Sequence, residues 1–452
     1  MSKKTLLSLA ALLGAALCLQ AQTFQEGFFL RDYKLAYQYN PALAADSENF
    51  LSVAQWRSQS LNNVGASAYM YPTEDGLVLG LNSAIPADVF LGNLPAQDRS
   101  RSEFNFGLFS YGFRTTNAFH TLELNVRGLY SMTVPKELFE FLKLGAGDST
   151  FKMGGFNIGG GIFAEAVYGY SRRLNSWLSL GVRAKLLLPL FGAQYDIDRL
   201  DVTATEDKVE VWHHGDLYLT NLTTQLKPNE QGYIDLLYTS PHGKLGVRPS
   251  GVGLAADLGL VATPVDGLTL SASVQDLGCM FWYYGNRMTA AGPTTFEGMD
   301  FGSLDNIKSG SFSEKLTAVG DTFLQTLKPM PANNKWLFFL RSFQANLGLK
   351  YEMPFYRRLA VGATALYQGC STVPYWETRL AIEANPWNWL NVTATFGTGA
   401  FGPVFGVAGA VKVYKFRLTA GLQDGFGGTV RYTSTPLKAN FRSFTIGLTY
   451  DL

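Results

Sequence analysis

The sequence is poor in the residues on which enzymes usually depend. Among 452 residues there are four histidines and three cysteines, and no serine motif accompanies the histidines at positions 120, 213, 214 and 242. A catalytic nucleophile needs a base within hydrogen-bond reach, and that base is usually histidine. His213 and His214 with Asp216 make a poor metal site, because adjacent residues on a strand point to opposite faces. We therefore expect no enzymatic activity, no metal site and no cofactor.

Charge is also scarce. Charged residues make up 16 % of the chain, with 37 basic and 36 acidic side chains. Without Lys3 and Lys4, which lie in the N-terminal segment described next, 35 basic residues remain against 36 acidic ones, a net charge near −1. A protein that binds nucleic acid usually carries a clustered positive excess. We therefore expect no nucleic-acid partner.

A long apolar run occurs only at the N-terminus, MSKKTLLSLAALLGAALCLQAQ. It has a basic start, an apolar core from Leu6 to Leu19 and a cleavage site before Gln22. This pattern predicts a cleaved signal peptide over residues 1–21, so we expect the chain to be exported. No later stretch reaches the roughly 18 uncharged apolar residues expected of a membrane-spanning helix.

Two cysteines remain after the signal peptide, Cys279 and Cys370. They lack the spacing of metal ligands. Exported proteins form disulfides, and each of these cysteines follows a strand that runs outward in the topology described below. A disulfide between them on the extracellular side is therefore a hypothesis.

What the chain does have is regular alternation of apolar and polar residues. The clearest stretches are TLELNVRGLY from 121, WLSLGVRAKLLL from 177, FQANLGLKY from 343 and WETRLAIEA from 376. A soluble β-sandwich shows the same period, but export, many strands of about ten residues and little charge on the apolar face favour a membrane. The sequence thus predicts an all-β fold, a transmembrane antiparallel β-barrel of 14–16 strands whose apolar residues face outer-membrane lipid.

The polar face of these strands is expected to line the lumen. Its charged members are Glu123, Arg127, Glu165, Arg183, Lys185, Lys350, Glu377, Arg379 and Glu383. Two interpretations remain open: the charges line an aqueous path, or they pair across the lumen and hold a plug. Because both signs occur in nearly equal number, the second interpretation is favoured.

Short and long connections alternate along the barrel region, residues 50–452. The long connections are expected near 132–155, 191–250, 278–340 and 423–440. They are typical of extracellular loops opposite short periplasmic turns. Residues 134–145 and 311–329 predict short helices in these loops, and 194–219 predicts a hairpin that extends above the barrel or folds over it. A first hairpin is expected near 50–71. With it the barrel has about sixteen strands, and without it fourteen.

The last ten residues, SFTIGLTYDL, alternate to the end of the chain. The apolar positions are Phe444, Ile446, Leu448, Tyr450 and Leu452. A final strand that pairs with the first would close the ladder and leave no open edge. This stretch also resembles the C-terminal signal read by the outer-membrane insertion machinery, although that signal commonly ends in phenylalanine.

Two resemblances concern the family. The motif Asn40-Pro41-Ala42 before the first strand resembles the start of the long-chain fatty-acid transporter superfamily, whose N-terminal segment acts as a plug. More closely, three phrases in order resemble a Bacteroidetes outer-membrane β-barrel family of unknown function. They are VPKELFEFLKLG at 134–145, LSLGVRAKLLLPLFG at 178–192 and LTLSASVQDLGCMFW at 268–282. The resemblance implies a Gram-negative outer-membrane barrel with a periplasmic or plug segment over 22–49.

Two functional hypotheses follow. In the first, the chain is a conduit for a small hydrophobic molecule, with residues 22–49 as a movable plug. In the second, it is a non-enzymatic scaffold whose loops at 191–250 and 278–340 dock a surface protein during secretion or assembly. Distant relatives of the resembled family include both channels for hydrophobic molecules and partners in surface-protein secretion.

Overall fold

The computed structural model describes residues 24–31, 33–73, 76–144, 150–204, 209–220, 249–282, 286–296, 330–332, 337–425 and 440–452. The signal peptide predicted at 1–21 and the helix predicted at 311–329 lie outside these residues. In the described part of the chain, no helix has both the length and the apolar character needed to cross a membrane.

Fourteen antiparallel strands form one closed barrel. They are β1 (Phe50–Asn62), β4 (Gln97–Arg114), β5 (Phe119–Pro135), β7 (Phe156–Arg173), β8 (Leu178–Ala204), β10 (Gly251–Ala262), β11 (Leu268–Trp282), β15 (Phe343–Glu352), β16 (Leu359–Gly369), β17 (Tyr375–Trp387), β18 (Leu390–Gly399), β19 (Gly402–Val413), β20 (Phe416–Gly425) and β21 (Asn440–Asp451). Strand β1 pairs with β4 on one side and with β21 on the other, so the ladder has no open edge. The predicted barrel is confirmed, at the lower end of its strand range.

The two faces of the wall differ as the alternation predicts. On β17, Leu380 and Ile382 point outward and are 70 % and 59 % exposed, whereas Ala381 between them is 4 % exposed and Arg379 before them is 1 % exposed. On β21, Phe444, Ile446 and Leu448 point outward in the same way. Because apolar side chains cover the outside and polar ones the inside, the barrel is suited to lipid outside and polar groups within.

The expected hairpin near 50–71 is wrong. Residues 63–96 instead form a long loop with a small hairpin of β2 (Met70–Thr73) and β3 (Gly76–Leu79) and the helix α2 (Ala87–Gly92). Phe90 is buried there with Ile85 and Leu94, and several partly buried aromatic side chains pack around them. The apolar residues of this stretch therefore cover one another, so they are not available to form a lipid-facing strand.

Several elements rise above the barrel on the side of the long loops. Strand β8 continues upward and pairs with β9 (Val209–Leu219), which in turn pairs with β12 (Asn286–Phe296). The helix α3 (Lys136–Leu144) follows β5 and packs against this extension through Leu138 and Phe141. The predicted hairpin at 194–219 and the predicted helix at 134–145 are thus confirmed. The short strands β6 (Thr150–Lys152), β13 (Met330–Ala332) and β14 (Leu337–Leu340) complete this side and lie outside the closed ring. The short helix α1 (Glu26–Phe29) lies inside the barrel.

The disulfide hypothesis is wrong, because Cys279 and Cys370 are both free. Cys279 lies on β11 between Leu277 and Phe281, which point outward. Cys370 follows β16 and lines a cavity inside the lumen. Cys279 is half-buried and Cys370 is exposed, and the two are not bonded to each other.

Candidate functional site: the plugged lumen

The N-terminal segment fills part of the lumen. We call residues 24–49 the plug. Its aromatic side chains Phe24, Phe28, Phe29, Tyr33, Tyr37 and Tyr39 are all buried. Phe28 stacks on Tyr39 with ring centroids 5.5 Å apart, and Phe24 meets Tyr33 edge-on at 5.4 Å. The plug therefore has an aromatic core of its own inside the barrel.

Inward-facing glycines of the wall accommodate the plug. A Cβ atom added at Gly348 would lie 2.7 Å from the ring of Phe28, and one at Gly362 would lie 2.5 Å from the ring of Phe29. At Gly181 the added atom would overlap the backbone of Pro41 and Ala42. The strands have no side chain at these positions because the plug occupies the space.

One end of the plug is held by Glu26. This carboxylate is wholly buried and accepts hydrogen bonds from Arg379 (3.1 Å), from Thr395 (2.6 Å) and from Gln423. Arg379 also donates to Glu377 at 2.8 Å. Charged hydrogen bonds of this kind are among the strongest in proteins. The predicted lumenal residues Glu377 and Arg379 thus bind the plug.

The motif Asn40-Pro41-Ala42 holds the other end. The Asn40 side chain donates to the Ser271 hydroxyl at 2.8 Å and to the Leu260 carbonyl at 2.9 Å. Its own oxygen accepts the Ala42 N–H at 2.9 Å, so Asn40 also caps the 3₁₀ turn Pro41–Asp46. An asparagine side chain can do both, because its NH₂ group donates to the acceptors of the wall while its oxygen accepts the N–H of the turn.

Between these ends, Gln38 contacts several strands. Its side chain donates to Glu123 at 2.8 Å and to Gln55 at 3.2 Å. Its backbone carbonyl accepts a hydrogen bond of 2.6 Å from Gln275. Gln55 and Gln275 each lie next to a β-bulge residue with positive φ, Ala54 at 53° and Asp276 at 58°. Bulges redirect side chains at functional sites, and here they direct two glutamines toward the plug.

Glu123 is also the last member of a continuous buried series of alternating charges, which we call the ionic chain. Within the described residues it contains five cations and five carboxylates: Arg101, Glu103, Arg127, Glu165, Asp276, Arg341, Lys185, Asp257, Arg183 and Glu123. Apart from the close Arg101–Glu103 pair, its N···O distances run from 2.5 Å to 3.8 Å. The charges balance, as buried charges must if they are to remain ionised.

Asp276 is the carboxylate at which three cations of this chain meet. Its carboxylate lies 2.9 Å from Arg127, 2.6 Å from Lys185 and 3.1 Å from Arg341. The chain continues through Asp257 and Arg183 to Glu123 and so to the plug. The same set of ion pairs therefore joins the upper lumen to Gln38.

The structure brings five of the nine predicted lumenal charges into the ionic chain and places two at Glu26. The remaining two, Lys350 and Glu383, pair with each other at 2.7 Å. Lys350 also donates to the Phe29 carbonyl of the plug at 2.8 Å. Sequence reasoning missed five members of the ionic chain, namely Arg101, Glu103, Asp257, Asp276 and Arg341, and it also missed Glu26 of the plug.

A cavity of about 270 Å³ lies in the upper lumen. Its apolar lining includes Leu129, Phe163, Met280, Leu337 and Phe339. Its floor carries charged groups from the top of the ionic chain: Arg101, Glu103, Arg127 and Arg341. Its upper part is lined by Asn157, Gln194, Tyr218 and Thr220. The cavity thus combines an apolar middle with polar groups at both ends.

The three described histidines have different surroundings, and His242 lies outside the described residues. His213 is buried and its neighbour His214 is exposed, on the other face of β9, where it contacts Asp198 at 2.6 Å. His120 lies next to the short turn between β4 and β5, and its ring forms a hydrogen bond with the Tyr168 hydroxyl at 2.8 Å. In the described ranges, no group of three or more histidine, cysteine, aspartate or glutamate residues has the arrangement of a metal site.

The Gly181→Ala substitution is expected to loosen the plug. The new methyl group overlaps the backbone at Pro41 and Ala42, and overpacking of this kind costs about 1–3 kcal/mol. Hydrogen–deuterium exchange of residues 36–46 should then become roughly 5- to 150-fold faster. Gly159→Ala is the control, because its added atom meets nothing closer than 3.4 Å. Equal exchange in the two variants would show that Gly181 does not accommodate the plug.

The chain is similar to solved transporter structures at low sequence identity. The Pseudomonas putida toluene transporter TodX aligns with 96 % of this chain and 95 % of its own, with 10 % identity and a TM-score of 0.45. The Ralstonia pickettii toluene transporter TbuX aligns over 92 % and 93 %, with 9 % identity and a TM-score of 0.44. A Pseudomonas aeruginosa FadL homologue aligns over 96 % and 99 %, with 12 % identity and a TM-score of 0.40.

The sequence comparisons give the family. A search of curated proteins finds no match. A family model described as a family of unknown function, DUF5723, matches residues 41–422, which include the barrel wall from β1 to β20 and the end of the plug. The chain therefore belongs to this family of unknown function, DUF5723.

Proposed function

We propose that this protein is a plugged conduit for small molecules with an apolar body, placed in the outer membrane of a Gram-negative bacterium. The observation that carries the proposal is that a separate segment of the chain, and not the wall, occupies the lumen. A fourteen-stranded barrel is wider than the eight-stranded barrels whose lumen side chains alone can fill. The plug occupies this extra width.

The way the plug is held favours a removable element. It is continuous with the wall only after Asn49, where β1 begins. Its remaining attachments are hydrogen bonds, ion pairs and ring contacts with the inward-facing glycines. All of these can break without any change in the pairing of the wall strands. Movement of residues 24–49 would therefore open the lumen while the barrel remains closed on itself.

The lining and the size of the cavity indicate which class of molecule the conduit would carry. Phe163, Met280 and Phe339 form much of its middle, which favours a molecule with an apolar body. Burying apolar groups there contributes about 25 cal/mol per Å². Its size suits a small molecule, and the polar groups at its two ends can fix an orientation. These features extend the expectation of a small hydrophobic cargo to one that also has polar ends.

The test is to weaken the Glu26 anchor in the intact chain. Glu26→Ala removes the carboxylate that Arg379, Thr395 and Gln423 bind, so small-solute flux into proteoliposomes should rise above the wild-type level. The control is Glu48→Ala on the same segment, because Glu48 has an 81 % exposed side chain and its ion pair within the described residues is with Lys34, also on the plug. Its flux should equal wild type.

Two outcomes would contradict the proposal. One is a Glu26→Ala protein whose plug exchanges hydrogen rapidly but whose flux equals that of wild type. The other is a wild-type flux that already matches that of an open pore, since a lumen closed by the plug should conduct little. Either result would mean that the plug does not gate passage through the barrel.

The scaffold hypothesis stays a prediction. Its docking loops were expected at 191–250 and 278–340, and residues 221–248 and 297–329 lie outside the described part of the chain. The described extension of β8, β9 and β12 is a compact sheet above the barrel. The expected contact with the barrel insertion machinery through the last strand is likewise a proposal.

A further inference from the structure

Three neighbouring short turns of the wall carry basic and aromatic residues but no carboxylate. They are residues 353–358 between β15 and β16, 388–389 between β17 and β18, and 414–415 between β19 and β20, with the sequences MPFYRR, NW and YK. Four aromatic side chains of these turns are exposed: Phe355, Tyr356, Trp389 and Tyr414. Exposed aromatic residues at the end of a barrel wall lie at the level of the lipid headgroups. This sector therefore presents positive charge at that level.

Arg358 has a charge that the described residues do not compensate. Its guanidinium donates to the Pro386 carbonyl at 3.2 Å and to the Asn388 side chain at 2.9 Å, so it is held between two adjacent turns. No carboxylate of the described residues lies within ion-pair distance of it, whereas Arg357 is paired with Asp266 at 2.5 Å. A guanidinium has five N–H donors in a fork that fits a phosphate group. Arg358 thus keeps unused donors as well as its charge.

An apolar groove runs along the outside of β16 above this edge. Its floor is formed by Ala363 and Ala365, and its sides include Leu347, Leu349 and Leu380. The strand register fixes this arrangement, because Ala363 lies opposite Leu349 of β15 and opposite Leu380 of β17. The groove encloses about 910 Å³. Two small side chains between larger leucines therefore leave a channel on the lipid-facing surface.

The groove lies at the depth of a lipid acyl chain. Ala363 and Ala365 follow Arg358 along the same strand, at a distance of about 17–23 Å. Strands of membrane barrels tilt by about 35–45°, so these alanines lie about 12–19 Å deeper in the membrane than Arg358. Half of the hydrocarbon core is about 15 Å thick. A lipid whose headgroup binds Arg358 would therefore extend its chain over both alanines.

We propose that this sector binds one anionic phospholipid from the leaflet next to the short turns, with its phosphate on Arg358 and an acyl chain in the groove on β16. The phosphate oxygens accept the unused donors of Arg358. A headgroup without an ammonium group fits best, because the three turns contain no carboxylate to pair with one. Phosphatidylglycerol has this chemistry. The assignment concerns the outer surface of the barrel and does not depend on movement of the plug.

The first experiment changes the lipid and leaves the protein unchanged. Native mass spectrometry of the full-length protein in detergent compares titrations with phosphatidylglycerol and with phosphatidylethanolamine that have identical acyl chains. Phosphatidylglycerol should form an adduct of one lipid per protein. Its dissociation constant should be roughly 5- to 15-fold lower than that of phosphatidylethanolamine, because the ammonium group has no partner and opposes Arg358.

The second experiment tests the headgroup contact. Arg358→Gln should weaken phosphatidylglycerol binding roughly 5- to 15-fold and remove the preference over phosphatidylethanolamine. Arg358→Lys keeps the charge and should retain most of the preference. Arg172→Gln is the matched control, because Arg172 is exposed at the same edge of the barrel on β7, away from the groove. It loses the same charge but should bind phosphatidylglycerol as wild type does.

The third experiment tests the acyl-chain contact. Ala363→Leu fills the floor of the groove, so it should weaken binding of both lipids roughly fivefold or more and leave the preference between them unchanged. Ala394→Leu is the control, because Ala394 is an exposed residue of β18 that does not line this groove. Its binding should equal wild type.

The lipid assignment is overturned if no adduct forms, if the two lipids bind equally, or if Arg358→Gln and Arg172→Gln have the same effect. A dimer of the wild-type protein that Ala363→Leu disrupts would also overturn it, because the groove would then hold a second copy of the chain. None of these outcomes changes the expected flux of Glu26→Ala, so the conduit proposal is tested separately.

Discussion

Asp276→Asn is expected to lower the free energy of unfolding by about 3–5 kcal/mol, the cost of removing one partner from a buried set of ion pairs. Asparagine has nearly the same shape as aspartate, so the loss comes from charge and not from packing. Arg127, Lys185 and Arg341 would keep their positive charges in a buried site that has lost its central carboxylate. The measurement is urea unfolding of the barrel in lipid vesicles, followed by tryptophan fluorescence.

Asp266→Asn is the matched control. Asp266 also contacts an arginine, at 2.5 Å from Arg357, but their side chains are 79 % and 67 % exposed. An exposed pair of this kind contributes about 0–1 kcal/mol. If Asp276→Asn and Asp266→Asn cost the same, the ionic chain does not stabilise the lumen. The Asp276 variant should also increase hydrogen exchange at Gln38, since the chain ends there.

Leu380→Arg is expected to cost about 2–4 kcal/mol, the penalty for a cation on the lipid face near the middle of the membrane. Leu380 lies at the centre of β17 and is the most outward-pointing residue of that strand, with 70 % of its surface exposed. The new guanidinium would lose its hydration without gaining a partner. The same urea titration measures this effect.

Val413→Arg supplies the control for depth. Val413 ends β19 at a short turn and is 66 % exposed, so it is apolar and outward-facing like Leu380. Because it lies at the membrane boundary, where such a cation costs about 0–1 kcal/mol, its variant should be nearly as stable as wild type. Equal destabilisation of the two variants would mean that β17 does not cross lipid at Leu380.

The inner and outer faces of the wall could be predicted because neighbouring residues in the strands differ strongly in polarity. Arg379 alternates with Leu380 and Thr378, so one face could be assigned to the lumen and the other to lipid. Tertiary structure did not override this pattern, because lipid and lumen impose opposite requirements along the whole strand. The positions of the predicted lumenal charges followed from the same contrast.

The alternation of apolar and polar residues does not reveal Asp276, Asp257 or Arg101 as members of the ionic chain, and each has a physical reason. Gln275 and Asp276 are adjacent, and both oppose Asp257 in a bulge, so strict alternation would place Asp276 outside. Asp257 itself follows Gly253 and Ala255 on the inner face, which give no polar contrast. Arg101 lies in the upper part of β4, where both faces are polar because the strand extends above the lipid.

The plug was expected from family resemblance alone, because 22–49 shows no regular period. Its contacts are not readable from the sequence either, since Glu26 reaches Arg379 across 353 positions. Inward-facing glycines are the one sequence signal that points to these contacts. The inward positions that contact the plug include Gly181, Gly348 and Gly362, which lie in strands that also carry inward polar residues such as Arg183, Asn346 and Thr364.

The location of the plug contacts also bears on biogenesis. Glu26 binds residues of β17, β18 and β20, while Asn40 binds β10 and β11. The seam of the barrel joins the first strand to the last, so it can close only when synthesis is complete. An open sheet has two unpaired edges, which are prone to pair with other chains. When the plug is bound, it holds strands from the middle and from the end of the sheet close together. The two edges can then pair sooner, so they stay unpaired for a shorter time.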